Sequence, residues 1–225
     1  MISLEKLKLF TAHGNAKDIP IDYERLCRRI TKQNDSDTLN EAFSDCLAEC
    51  EKTIQPKACY MYLPVTCNND RIDLDVFSLK SSRLAKLLDD CRFCVAMGAT
   101  IGLGIDRVIA KYSALSPLKA WICQMIGEAY VEAWCDLLCN NIKAETGLFL
   151  KPRFSPGYGD LPLSEQEKLF GLLDLSRQCG ITLTESLIMR PSKSVTAFVG
   201  ISDKPYCTVS KCSLCNKLDC EYRND

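Results

Sequence analysis

The strongest pattern in the chain is a helical repeat over residues 117–142. Trp121, Ile122, Met125, Ile126, Ala129, Tyr130, Ala133, Trp134, Leu137 and Leu138 recur at helical spacing behind Pro117, which suits a first turn. Stepping about 100° per residue sets Glu132 between Trp121 and Met125, and Asp136 beside Leu118. Both carboxylates then fall inside the apolar arc, where they need partners. Upstream, residues 57–65 (KACYMYLPV) and 72–77 predict strands, and residues 81–90 a helix with Leu84, Leu87 and Leu88 on one face. Residues 91–97 predict a buried strand running into a glycine-rich turn, Gly98 to Gly104, that opens a helix through Ile109. Downstream, residues 151–163 (KPRFSPGYGDLPL) carry three prolines and two glycines and predict a shaped loop. A helix should follow, with Ser164 and Glu167 as a capping box, Leu169, Phe170, Leu172 and Leu173 on its apolar face and Gly180 at its end. Residues 194–201 alternate as a strand does.

Before residue 57 the chain has a basic stretch (Arg25, Arg28, Arg29) and a polar break (Asn34, Asp35, Ser36, Asp37). A helical pattern with Leu39, Phe43, Cys46, Leu47 and Cys50 comes next. The expected organisation is a helical lead-in over 1–56, a main domain over 57–206 and a cysteine-rich tail over 207–225. The expected fold class is α+β, a mixed but antiparallel-rich sheet with a long central helix.

With 225 residues and 47% apolar content the chain can bury a core of its own. Lys and Arg total 28 against 29 for Asp and Glu, which leaves no net basic field for a nucleic-acid backbone or an anionic membrane. The N-terminal MISLEKLKLF lacks a secretory signal's apolar core, and no apolar run reaches membrane-spanning length, so a cytoplasmic location is expected. In that reducing compartment the 15 cysteines should be mostly free thiols. His13 is the sole histidine, which leaves little material for Ser-His-Asp or Cys-His catalysis. The glycines from Gly98 to Gly104 are in the wrong order for a dinucleotide fingerprint, and no Gly-Lys-Ser/Thr follows. A tight strand-to-helix turn is expected there, not a phosphate cradle.

Arg153, Ser155, Pro156, Gly157 and Tyr158 form an R-x-S-P-G-Y loop. Behind it stand the stretches Gly180-Ile181-Thr182-Leu183-Thr184-Glu185-Ser186 and Pro191-Ser192-Lys193-Ser194-Val195. Ahead of it lies Glu128-Ala129-Tyr130-Val131-Glu132-Ala133. In this order the segments resemble the activation domain of cobalamin-dependent methionine synthase, over roughly residues 58 to 206. The resemblance implies an S-adenosylmethionine site: Arg153 on the ligand's carboxylate, Pro156, Gly157, Tyr158 and Asp160 lining the loop, and Glu132 toward the charged end. Ser192, Ser194 and Tyr206 would lie near the strand end that closes the site, where core or cap roles fit equally. Side-chain chemistry agrees, since a guanidinium offers a planar fork to a carboxylate and a tyrosine face can stack on adenine or lie against a sulfonium. Taken singly, Arg153 reads more simply as a surface ion-pair partner and Tyr158 as a loop plug.

The resemblance further implies a role in reductive remethylation of cob(II)alamin on a separate, cobalamin-bearing methionine synthase. Cobalamin would come from that partner, one electron from a flavodoxin- or ferredoxin-type donor, and the methyl group from S-adenosylmethionine. A related corrinoid methyltransferase is an alternative partner. The sequence departs from the family where Asp160-Leu161-Pro162-Leu163 replaces an Ala-Cys-Pro-x-His continuation, and its length sets up the expectation of a split system, with the cobalamin module on the partner.

The tail spaces Cys207, Cys212, Cys215 and Cys220 as C-x4-C-x2-C-x4-C, which can close a zinc site or ligate an iron-sulfur cluster, or can be a thiol-rich tail without metal. A rival function from this feature is an iron-sulfur or zinc redox or electron-transfer protein. Cys91 and Cys94 also form a C-x2-C, but alternation along a strand would part their side chains, so both are assigned to packing.

Overall fold

The computed structural model describes residues 7–31 and 37–205. Its centre is an antiparallel sheet of β1 (Leu9–His13), β2 (Lys57–Pro64), β6 (Phe93–Thr100), β7 (Phe149–Leu150) and β10 (Ser194–Ser202), in the order β1-β2-β6-β10-β7. Alternation of side chains along the three inner strands feeds two cores. Tyr60, Tyr62, Val95, Met97, Val199 and Ile201 face one side, packed against α1 (Tyr23–Thr31), α2 (Asp37–Thr53), α4 (Gly104–Leu115) and α5 (Pro117–Thr146). Cys59, Met61, Leu63, Cys94, Ala96 and Phe198 face the other, beneath α3 (Ser82–Leu88), α6 (Gln166–Leu173) and α7 (Leu175–Gln178). Two small antiparallel pieces complete the chain: β3 (Thr66–Asn68), β4 (Arg71–Asp73) and β5 (Ser78–Lys80), and the hairpin of β8 (Thr182–Leu183) with β9 (Met189–Arg190). The fold is therefore α+β, with an antiparallel sheet beside one long helix.

The 30-residue helix α5 begins where Ser116 accepts from the Lys119 amide, with Pro117 in its first turn, and ends at Gly147 in the left-handed region (φ 65°). Its buried side carries Ile122, Ile126, Tyr130, Trp134 and Leu138. Tyr130 also ties the N-terminal helices to it: the Tyr130 hydroxyl donates to Glu51 Oε1 (2.6 Å), and that of Tyr23 reaches the same oxygen (2.9 Å).

Several sequence expectations are corrected. The segment 1–56 is not purely helical, because residues 9–13 add edge strand β1 in register with β2, Leu9 opposite Met61 and His13 opposite Lys57. Leu26, Ile30, Phe43, Cys46 and Cys50 from this segment share one core with α5, so it is part of the same packed body. The expected strand at 72–77 is a hairpin, since Asp75 at φ 65° turns the chain between β4 and β5. No capping box forms at Ser164. A short 3-10 turn, Leu163–Glu165, leads into α6 without a side-chain cap, and Asp174 (φ 47°) splits the expected single helix into α6 and α7. Strand β6 starts at Phe93, so Cys91 precedes it and alternation does not apply. Cys91 and Cys94 lie in the same core, both buried.

The glycine-rich turn spends its own backbone groups. The Gln55 amide donates to the Ile101 carbonyl (2.8 Å), the Ile101 amide to Lys193 (3.2 Å) and the Gly102 amide to Thr100 Oγ1 (3.1 Å). All 11 cysteines among the described residues are free thiols. No helix among the described residues is long and apolar enough to cross a membrane.

Candidate functional site

Loop 151–163 leaves the sheet edge in steps that its hydrogen bonds define. The Lys151 amide donates to Gly200, and Phe154 exchanges two backbone bonds with Phe198 (2.9 Å each), so the loop first runs as a continuation of the edge beside β10. It then turns tightly: Gly157 adopts φ 88°, its amide donating to the Leu161 carbonyl (2.9 Å), and the Tyr158 amide donates to Ser155 (3.0 Å). Only glycine takes that φ without steric cost. Pro156 is buried beneath the turn while Tyr158 stands 60% exposed at its tip, edge-on to Phe154 (6.4 Å between ring centres).

Arg153 projects from this loop onto α5. Its Nη1 donates to Asp136 Oδ1 (2.5 Å) and its Nη2 to Glu132 Oε2 (2.6 Å), one arm of the fork to each of two carboxylates a helical turn apart. The expectation that the carboxylates lie on a buried face is corrected: Glu132 and Asp136 side chains are 61% and 65% exposed, and Trp121, on the same stripe, is 44% exposed. Glu128, Glu132, Asp136 and Asn140 recur every fourth residue along this exposed stripe, but Leu118 and Trp121 at its start are apolar and hide it from the hydrophobic periodicity. Exposed carboxylates need no partner on the ground of burial, yet both pair with Arg153, itself only 20% exposed. Burial pushes the neighbouring thiols up, Cys135 to about 12, against the opposing pull of the Arg153 charge.

Two clefts meet at this cluster. One, of about 980 Å³, runs between α5, the loop, β10 and the β8–β9 hairpin, with Arg153, Pro156, Tyr158, Gln166, Met189 and Ser194 among its walls. The other, of about 720 Å³, lies between α1 and α5, walled by Ile21, Asp22, Arg25, Arg29, Glu128 and Ala133 among others. Glu132, Asp136 and Tyr158 border both. Asp22, absent from the expected site residues, opens α1 by accepting from the Arg25 amide (2.9 Å), and the fold brings it to the cleft that Glu132 and Tyr158 share. Its one sequence signal was that of a helix cap, which says nothing of a site.

The other expected residues are placed as follows. Asp160 is outside both clefts: Ser81 Oγ donates to it (2.5 Å), as do the amides of Ser82 (2.7 Å) and Arg83 (3.3 Å), so it clamps the loop to the start of α3. The Ser81 hydroxyl, then those amides, hold its carboxyl below the usual range. Ser192 is turned away from the clefts as well, its amide (2.9 Å) and hydroxyl both bonded to Asp106 in the first turn of α4. Ser194 borders the larger cleft, but its hydroxyl lies 2.7 Å from the Pro191 carbonyl and 2.9 Å from Thr100 Oγ1, closing the strand end. Tyr206, Cys207, Cys212, Cys215 and Cys220 lie outside the described residues. Among the described residues no group of three or more His, Cys, Asp or Glu side chains could hold a metal ion.

The fold resembles a solved structure described as the MetH reactivation domain bound to AdoHcy. The TM-score is 0.66 and the identity 17%, over 90% of this chain and 81% of that one. No curated protein matches the sequence. The family model of the vitamin B12 dependent methionine synthase activation domain matches residues 86–219, and the chain belongs to that family.

Proposed function

We propose that the chain binds S-adenosylmethionine where the two clefts meet and supports reductive remethylation of cob(II)alamin on a separate, cobalamin-bearing methionine synthase. The observation that carries the reading is the Arg153 fork, set on Glu132 and Asp136 beside exposed Tyr158, in a member of this family. The donor set fits the ligand's chemistry. S-adenosylmethionine carries a carboxylate, an ammonium and a sulfonium, and the cluster offers one guanidinium with two carboxylates, and Asp22 across the cleft. Arg153 takes the carboxylate, Glu132 and Asp22 face the cationic groups, and the Tyr158 ring lies against the adenine or the sulfonium. The clefts fall within the 300–1,000 Å³ or so usual for small-molecule sites.

When bound, S-adenosylmethionine supplies an electrophilic methyl group. The chain's own part is to bind, orient and shield that group, which is positioning and needs no catalytic base. Glycine at 157 keeps the loop tight enough for Tyr158 to overhang the cleft, and the Asp160 clamp fixes the loop's far end. Cobalamin is held by the partner, and a reduced flavodoxin- or ferredoxin-type protein supplies the electron. The free thiols of the described residues suit a reducing cytoplasm.

Anaerobic titration calorimetry tests the reading. Wild type should bind S-adenosylmethionine saturably, and Arg153→Ala and Glu132→Gln should each weaken it at least about tenfold, the loss of one charge-assisted hydrogen bond. No saturable binding by the wild type, or unchanged affinity in Arg153→Ala, would overturn it.

A further inference from the structure

We propose that Asp136 is a positioning residue for the ligand site: it keeps hold of the Arg153 fork so that Glu132 can leave it and face the ligand's cation. This rests on the S-adenosylmethionine reading above. The two carboxylates are not equivalent partners of the guanidinium. Arg153 is the sheltered member of the cluster, and both carboxylates reach in to it from a solvent-facing stripe of α5. Glu132 has the longer lever and lies at the centre of the α1–α5 cleft wall, flanked by Glu128, Ala129 and Ala133. Asp136 stands at that wall's end; both carboxylates also border the larger cleft, Asp136 beside Cys139 and Asn140. Aspartate has fewer rotamers to lose than glutamate, so it is the cheaper group to hold in one place.

Charge accounting leads to the same division of labour. One guanidinium and two carboxylates leave the cluster with one net negative charge. If Glu132 turns to the ligand while Asp136 stays, Arg153 remains paired, and the free negative charge is the one facing the sulfonium and ammonium. If Asp136 is absent, release of Glu132 leaves a largely buried guanidinium without an anion until the ligand's own carboxylate arrives, which opposes the exchange. Asp136 therefore acts through Arg153, and its effect should follow the ligand's carboxylate and not its sulfonium.

Three ligands separate these roles by calorimetry on the full chain: S-adenosylmethionine, S-adenosylhomocysteine, which lacks the positive sulfur, and methylthioadenosine, which lacks the amino-acid end. Asp136→Asn should weaken the first two by a similar factor, about tenfold, and leave methylthioadenosine unchanged. Asp136→Glu should restore most of the affinity, and Glu132→Gln should weaken S-adenosylmethionine more than S-adenosylhomocysteine. Wild-type affinity in Asp136→Asn would overturn the inference, as would equal weakening of all three ligands, the mark of a merely structural role. Loss confined to S-adenosylmethionine would also overturn it, because Asp136 would then act on the sulfonium directly. Failure of the wild type to bind S-adenosylmethionine is a different result, removing the ligand reading and this inference together.

Discussion

Gly98 lies mid-strand in β6, opposite Cys59 on β2 and Thr196 on β10, where a side chain would normally be welcome. The obstacle is on the face below: a Cβ built there would come 2.3 Å from Leu175 Cδ2 and 3.1 Å from Cδ1. Leu175 is fully buried in the core beneath the sheet, so its side chain can turn aside only into other packed side chains. Overpacking of this kind costs about 1–3 kcal/mol, offset by up to about 1 kcal/mol from the stiffer unfolded chain. Gly98→Ala should therefore destabilise by about 1–2 kcal/mol, and Leu175→Ala by about 3 kcal/mol through the cavity it leaves. The new methyl would occupy part of that cavity, so the double variant should fall short of the summed losses by about 1–2 kcal/mol. Urea denaturation of the four proteins, read at a common m-value, gives this coupling directly. Effects additive within about 0.5 kcal/mol would refute the reasoning, and so would a Gly98→Ala protein as stable as wild type.

Asp160→Asn should lower the denaturation midpoint at neutral pH and flatten the acid side of the stability profile. The folded carboxyl titrates below its unfolded value of about 3.9, so its contribution is present above that pH and is lost as pH falls through the folded pKa. Denaturation midpoints at neutral pH and at about pH 3 should converge between variant and wild type, and parallel profiles would sink the assignment. Tyr130→Phe removes the 2.6 Å bond to Glu51 from a fully buried ring and should cost about 1–2 kcal/mol. Faster amide exchange in α1 and α2 should accompany the loss, and unchanged exchange would mean that packing alone holds those helices.

Elements that carry their own period were legible in the sequence. Helix α5 repeats apolar positions for eight turns, and β2, β6 and β10 are strongly apolar runs. What escaped was set by contacts distant in sequence. Strand β1 is five residues with no fully buried position, and its extended state is secured by the β2 backbone some fifty residues away. The Ser164 capping box satisfied a spacing rule, yet a 3-10 turn gives the first α6 donors nearer acceptors, so the hydroxyl has no cap to make. Splitting of α6 from α7 turns on Asp174, a residue whose short polar chain tolerates the left-handed region and leaves little trace in a periodicity plot.

The site divides the same way. Arg153, Pro156, Gly157 and Tyr158 sit on one loop with an unusual composition, so local sequence already groups these candidates. Asp160 belongs to the same run but serves the fold, because its carboxylate finds three donors at the start of α3 before it can reach either cleft. Asp22 had the reverse history: locally it is a helix cap, and it borders the site only because α1 packs against α5 through Leu26 and Ile30. The family match begins at residue 86 and so includes Glu132, Asp136, Arg153 and Tyr158 but not Asp22. The charged cluster of the candidate site is written in the matched segment, while the wall that faces it comes from a segment whose sequence announces only a helix. The charged cluster and the wall opposite it thus come from separate segments of the chain, joined by the Tyr23–Glu51–Tyr130 hydrogen bonds that seat α1 two residues from Glu132.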